Sequence, residues 1–154
     1  MPDRRRSSAC TTRYRLRVKI APLPEELFSA ALTLWRECGL TRPWNDPWAD
    51  LVRAVSGPAS AVLGARDIEG HLLGTAMVGH DGHRGWVYYL AVAGSVRRQG
   101  VGRELMRECE EWVRLQGVPK IQLMVRHGNQ DVIAFYAGFG YTNGEVVVLG
   151  RSLN

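Results

Sequence analysis

The sequence predicts a mixed α/β (α+β) fold, with one sheet holding both antiparallel and parallel neighbours. Residues 60–66 and 71–79 are apolar-rich runs joined by turn residues at Asp67–Gly70, and such a hairpin pairs antiparallel. A strongly amphipathic helix separates strand candidates at Trp86–Val92 and Lys120–Val125, and a strand–helix–strand crossover joins parallel neighbours. The 154 residues suit a single domain, since domains run to roughly 100–200 residues.

Residues 1–12 lack apolar periodicity and are expected to form a disordered basic tail, leaving 13–154 as one domain. Tyr14, Leu16, Val18 and Ile20 alternate with Arg15, Arg17 and Lys19, the period of a half-buried strand. Pro24, Glu25 and Glu26 suit a helix start, because proline lacks an N–H and acids favour the positive end. Leu27, Ala31, Leu34, Trp35 and Cys38 share one face of that helix, and Gly39 stops it. Asp46 can cap a short helix running to about residue 56, with Pro47 in its first position. A loop at His80–Gly85 leads into the strand at Trp86–Val92. Val101, Leu105, Cys109 and Trp112 then form the stripe of the crossover helix, which Gly117 ends. Asn129–Ala137 reads as a helix and Glu145–Leu149 as a last strand.

Apolar residues make up 45% and charged residues 23% of the chain, which excludes disordered, collagen-like and disulfide-dense classes. No apolar run is long enough for a spanning helix, so a cytoplasmic protein without a membrane partner is expected. Cys10, Cys38 and Cys109 are too widely spaced for a zinc site, and no metal is expected. The net charge of +5 is localised. Residues 1–19 carry seven basic side chains against Asp3, whereas the remainder has 13 basic and 14 acidic groups. A polyanion-binding tail would show salt-sensitive affinity lost on truncation. No aromatic residues interleave with Arg4–Arg6, so no nucleic-acid partner is expected.

The stretch Arg97-Arg98-Gln99-Gly100-Val101-Gly102-Arg103 lies between a strand and a helix start. Its glycines permit close backbone approach, and the leading helix amides carry partial positive charge, which makes an anion cradle. A tight turn needing glycine only for geometry is the other reading. The phosphate loop of nucleotide hydrolases is excluded, because Arg103-Glu104 replaces its Lys-Ser/Thr. The dinucleotide fingerprint is excluded because Leu105 replaces its third glycine.

The spacing Arg97-x-x-Gly100-x-Gly102 resembles the acetyl-CoA signature of the GNAT superfamily of N-acetyltransferases. Asn129, Ala134-Phe135-Tyr136 and Gly138-Phe139-Gly140-Tyr141 resemble a second segment of that family. The segments Arg42–Pro47 and Asp81–Gly85 resemble a subgroup of small bacterial acetyltransferases. The resemblance implies a mostly antiparallel sheet of six to seven strands with a central splayed parallel pair, flanked by about four helices.

It also implies acetyl-CoA as co-substrate and a primary amine as acceptor: a small amine, an amino-acid derivative, or a protein N-terminus or lysine. The amides of Arg98, Gln99, Gly100, Val101, Gly102 and Arg103 would hold the diphosphate, and Arg97 opens the motif. The backbone of Leu90 and Val92 would pair with the pantetheine arm, which Asn129 would also contact. Tyr136 would protonate the departing thiolate, or else pack as a core aromatic. The strand before the glycines carries no carboxylate, so the base shifts to His83 or Asp81, or to water that they hold. Asp46 could attract a cationic amine or merely cap its helix, and Trp44 could wall the acceptor pocket or simply pack. A homodimer is common among relatives. A non-catalytic acyl-CoA-binding module is the rival reading, which Tyr136 opposes.

Overall fold

The computed structural model describes residues 16–153, so the basic tail, Cys10 and Tyr14 lie outside the described residues. The elements run β1 (Lys19–Pro22), α1 (Phe28–Glu37), α2 (Pro47–Ser56), β2 (Ser60–Arg66), β3 (Leu72–His80), β4 (Gly85–Val92), α3 (Val101–Leu115), β5 (Ile121–Leu123) and α4 (Gln130–Ala137). The sheet order is β1-β2-β3-β4-β5. The first four strands pair antiparallel, and the α3 crossover joins β4 to β5 in a sheet of mixed sense. Contacts divide the chain into two compact units, one through Gln122 and the other from Leu123.

Local chemistry places most boundaries. Asp46 accepts the Ala49 amide at 3.1 Å and Pro47 follows it, so α2 starts at the predicted cap. The predicted first helix opens instead as a 3-10 turn at Glu25–Leu27, and α1 proper begins at Phe28. Ala31, Leu34 and Trp35 of α1 pack with Leu51 and Ala54 of α2 and with Val62 of β2 in one core cluster.

Helix α3 covers the other face of the sheet. A Cβ on Gly74 would lie 3.0 Å from Leu105 Cδ1, whereas the adjacent Thr75 accepts a hydrogen bond from Trp35 of α1. Neighbouring strand residues face opposite ways, so α1 and α3 sandwich the sheet. Val101, Leu105 and Cys109 are buried as their spacing predicts, with Val113 completing the stripe and Trp112 only half-buried at its edge.

Two strand expectations need correction. Among the described residues the first strand starts at Lys19 rather than Leu16, because Lys19 already pairs with Arg66, the last residue of β2, and the expectation for Tyr14 lies outside them. Leu16 and Val18 therefore have no ladder partner. Residues 145–149 form no strand, so the described residues contain five strands rather than six or seven. Glu145 sits at φ 52, which breaks an extended run at its start, and Val146, Val147 and Leu149 are highly exposed. Strand propensity alone does not make a strand.

The central departure from regularity is in β4. Thr75 pairs with Ala91 and Met77 with Tyr88, so Tyr89 and Leu90 together oppose Ala76. This is a bulge. Tyr89 adopts φ 49, a left-handed conformation that costs a non-glycine residue about 1–2 kcal/mol.

Candidate active site

The turn after β4 builds the cradle. A 3-10 turn at Gly94–Val96 leads into Arg98 at φ 61 and Gly100 at φ 90, the residue that caps α3. The first α-helical bond is donated by the Glu104 amide to the Gly100 carbonyl at 3.0 Å. The amides ahead of it have no carbonyl within the helix and lie at its positive end. A Cβ on Gly100 would meet nothing within 4 Å, so the space over the turn is open. Arg97, Arg98 and Arg103 are all exposed around it, whereas Val101 and Gly102 are buried against the sheet. These residues fit a diphosphate: open space, outward amides and a positive surround.

Arg97 also reaches back to the strand. Its Nε donates to the Val92 carbonyl at 3.4 Å, and the Cys38 thiol donates to the same oxygen at 3.5 Å. Leu90 and Val92 are half-buried, and Leu90 belongs to the bulge, where its backbone stands outside the β3 register.

A cleft of about 790 Å³ opens beside the bulge, lined among others by Asp50 and Arg53 of α2, His80, Asp81, Tyr88 and Tyr89. Asp50 forms an ion pair with Arg53 through one oxygen and accepts the Tyr89 hydroxyl at 2.8 Å through the other. Burial and that carboxylate push the Tyr89 phenol up to about 12, so the hydroxyl stays protonated and donates. Asp81 Oδ1 accepts the amides of Arg84 at 2.6 Å and His83 at 2.8 Å, and Oδ2 accepts the Trp86 indole at 3.1 Å. Those three donors hold its carboxyl down at about 2. Asp81 thus reaches the cleft as the anchor of a turn.

The other residues singled out from the sequence lie elsewhere. His83 is exposed and outside the cleft lining, its Nδ1 3.5 Å from Arg84. His80, not His83, lines the cleft, and its Nδ1 accepts the Gly82 amide at 3.1 Å. Trp44 is 74% exposed and walls nothing in the cleft. Asp46 is spent on the α2 cap.

In the second unit, Asn129 caps α4 by accepting the Val132 amide at 3.4 Å. Tyr136 is buried, its ring 5.1 Å from Phe135 and 5.7 Å from Tyr141. Its carbonyl accepts the Phe139 and Tyr141 amides at 2.9 and 3.2 Å, so it also closes the turn after α4.

Asp50, Arg53 and Tyr89 escaped sequence reasoning. Asp50 and Arg53 are three residues apart on a helix, a spacing that ordinarily marks a solvated surface pair. The Tyr89 bulge leaves no mark in an otherwise apolar strand.

Comparison with known proteins places this architecture. The model of the acetyltransferase (GNAT) family matches residues 25–141. Among solved structures, AAC(6')-Iy in complex with the bisubstrate analogue CoA-S-monomethyl-acetylneamine is 18% identical. That match covers 88% of this chain and 98% of the other, with TM-score 0.72. The aminoglycoside 6'-N-acetyltransferase AAC(6')-Ih of Acinetobacter baumannii is 18% identical over 88% of this chain and 97% of its own, with TM-score 0.72. An acetyltransferase of Trypanosoma brucei is 18% identical over 88% of this chain and 100% of its own, with TM-score 0.69. At such identities the likeness establishes the fold. No described helix is long and apolar enough to cross a membrane.

Proposed function

The chain belongs to the acetyltransferase (GNAT) family, and from that premise we propose that a primary amine attacks the thioester of acetyl-CoA directly on this protein. The strand–turn–helix at Arg97–Arg103 carries the reading, because Gly100 at φ 90 leaves open space in front of the α3 amides. Those amides, with Arg97, Arg98 and Arg103 around them, hold the diphosphate. The backbone at Leu90 and Val92 receives the pantetheine arm as an added strand would, with Asn129 as a further contact. A backbone N–H of the same strand at or near Val92 stabilises the developing oxyanion.

The acceptor enters the cleft between α2 and the β3–β4 arm, beside the Asp50–Arg53 ion pair. The ammonium must lose a proton before it can attack. Asp81 is a weak base at about 2, and both Asp50 oxygens are engaged. The proton therefore leaves to water in the cleft, and no step is placed on His83. Tyr136 supplies the proton that the departing thiolate takes up. Small amines, amino-acid derivatives and protein amines all suit this chemistry, and amino sugars join them by analogy with the aminoglycoside enzymes that share the fold.

The test is isothermal calorimetry with CoA, followed by thiol release from acetyl-CoA across pooled amines and peptides, with mass spectrometry of the products. Saturable binding and a product heavier by one acetyl group are expected. Absence of CoA binding would overturn the reading.

A further inference from the structure

The bulge in β4 is held from three directions by residues of three other elements. Thr75 Oγ1 donates to the Tyr89 carbonyl at 3.2 Å, and Trp35 Nε1 in turn donates to Thr75 Oγ1 at 2.8 Å. The Trp35 and Tyr89 rings stack with centroids 4.0 Å apart and planes 17° from parallel. The Tyr89 hydroxyl donates to Asp50 Oδ2 at 2.8 Å. Trp35 and Thr75 have no solvent exposure, so two of the three restraints are fixed in the core. The third is different. Asp50 lies on α2 in the wall of the cleft and is shared with Arg53.

A left-handed tyrosine inside a strand is strained and persists only where its surroundings over-determine it. Released, Tyr89 would relax toward extended backbone, and the strand beyond it would shift in register against β3. The peptide units of Leu90 to Val92 would move with it.

We propose that Asp50 is a positioning residue for acetyl transfer: through the Tyr89 hydroxyl it holds the β4 bulge, and it thereby couples the wall of the acceptor cleft to the backbone that faces the acetyl group. The proposal rests on the reading that β4 receives the acetyl-CoA arm. Asp50 acts here as a hydrogen-bond acceptor, so asparagine can replace it and alanine cannot.

The full chain labelled with ¹³C and ¹⁵N tests this without turnover. In Asp50→Ala and Tyr89→Phe, the Cα and Cβ shifts of residue 89 should move from left-handed toward extended values, and in Asp50→Asn they should stay with the wild type. In steady-state assays Asp50→Ala should lose about tenfold in kcat with the KM for acetyl-CoA unchanged, and Asp50→Asn should recover most of that loss. Unchanged residue-89 shifts in both Asp50→Ala and Tyr89→Phe would overturn the proposal. So would an Asp50→Asn variant as impaired as the alanine variant, since that would place the carboxylate charge on the acceptor. Failure of wild-type CoA binding would instead strike the acetyl-CoA site, while the shifts still decide whether Asp50 governs the bulge.

Discussion

The indole of Trp86 donates to Asp81 Oδ2 at 3.1 Å, so the start of β4 reaches back to fasten the turn that precedes it. With the Arg84 and His83 amides on the other oxygen, the carboxylate form is strongly favoured and the carboxyl sits at about 2. A lowered folded value means stability that is present above the ordinary carboxyl value of about 4 and lost as pH falls through about 2. Wild type should therefore melt above Asp81→Ala near neutrality, and the gap in Tm should close between about pH 4 and pH 2. Calorimetric scans of both proteins across that range measure it. A gap that persists at pH 2 would mean that the charge is not what holds the turn.

Gly85 and Val113 meet where α3 presses on the start of β4. A Cβ at Gly85 would lie 2.6 Å from both Val113 methyl carbons, and a β-branched side chain on a helix has little freedom to turn away. Gly85→Ala should cost about 1–3 kcal/mol in urea unfolding, as overpacking does. Adding Val113→Ala should recover part of it, so the double variant should be more stable than the two single losses added together.

Tyr136 packs on Phe135 and Tyr141 through its ring, and those contacts survive loss of the hydroxyl. In Tyr136→Phe kcat should fall roughly 100-fold, the usual worth of a general acid, with the KM for acetyl-CoA unchanged. Unchanged turnover would remove the acid role from this residue.

What could be read in advance was the local chemistry. Asp46 followed by Pro47 announces a helix start, and α2 begins there. Val101, Leu105 and Cys109 announce a buried stripe, and α3 buries it. The departures in the strands and the cleft are non-local. Lys19 begins β1 only because Arg66 ends β2, and Val146–Leu149 has strand composition yet forms no strand. Alternation cannot reveal that Tyr89 and Leu90 share one partner, and Asp50 meets Tyr89 across 39 residues of chain. The cradle was legible because its glycines and its helix lie together in sequence. The cleft was not, because it is assembled from α2, β3 and β4.

Gly100 and Gly117 stand at opposite ends of α3, at φ 90 and φ 74, and a Cβ at either would meet nothing within 4 Å. Alanine at each position therefore carries the same cost, left-handed strain of about 1–2 kcal/mol with no clash. Their consequences for binding should differ. At Gly100 the strain shifts the amides that open α3 and the new methyl enters the space in front of them, so the KM for acetyl-CoA should rise about tenfold or more, with kcat at saturation largely kept. At Gly117 the strain falls on the end of α3 remote from the cradle, so stability should drop alike while KM stays at the wild-type value. Measuring urea midpoints and KM on the two variants separates a turn that is merely structural from one that grips an anion. Equal KM values in the two variants would return the glycines to geometry alone.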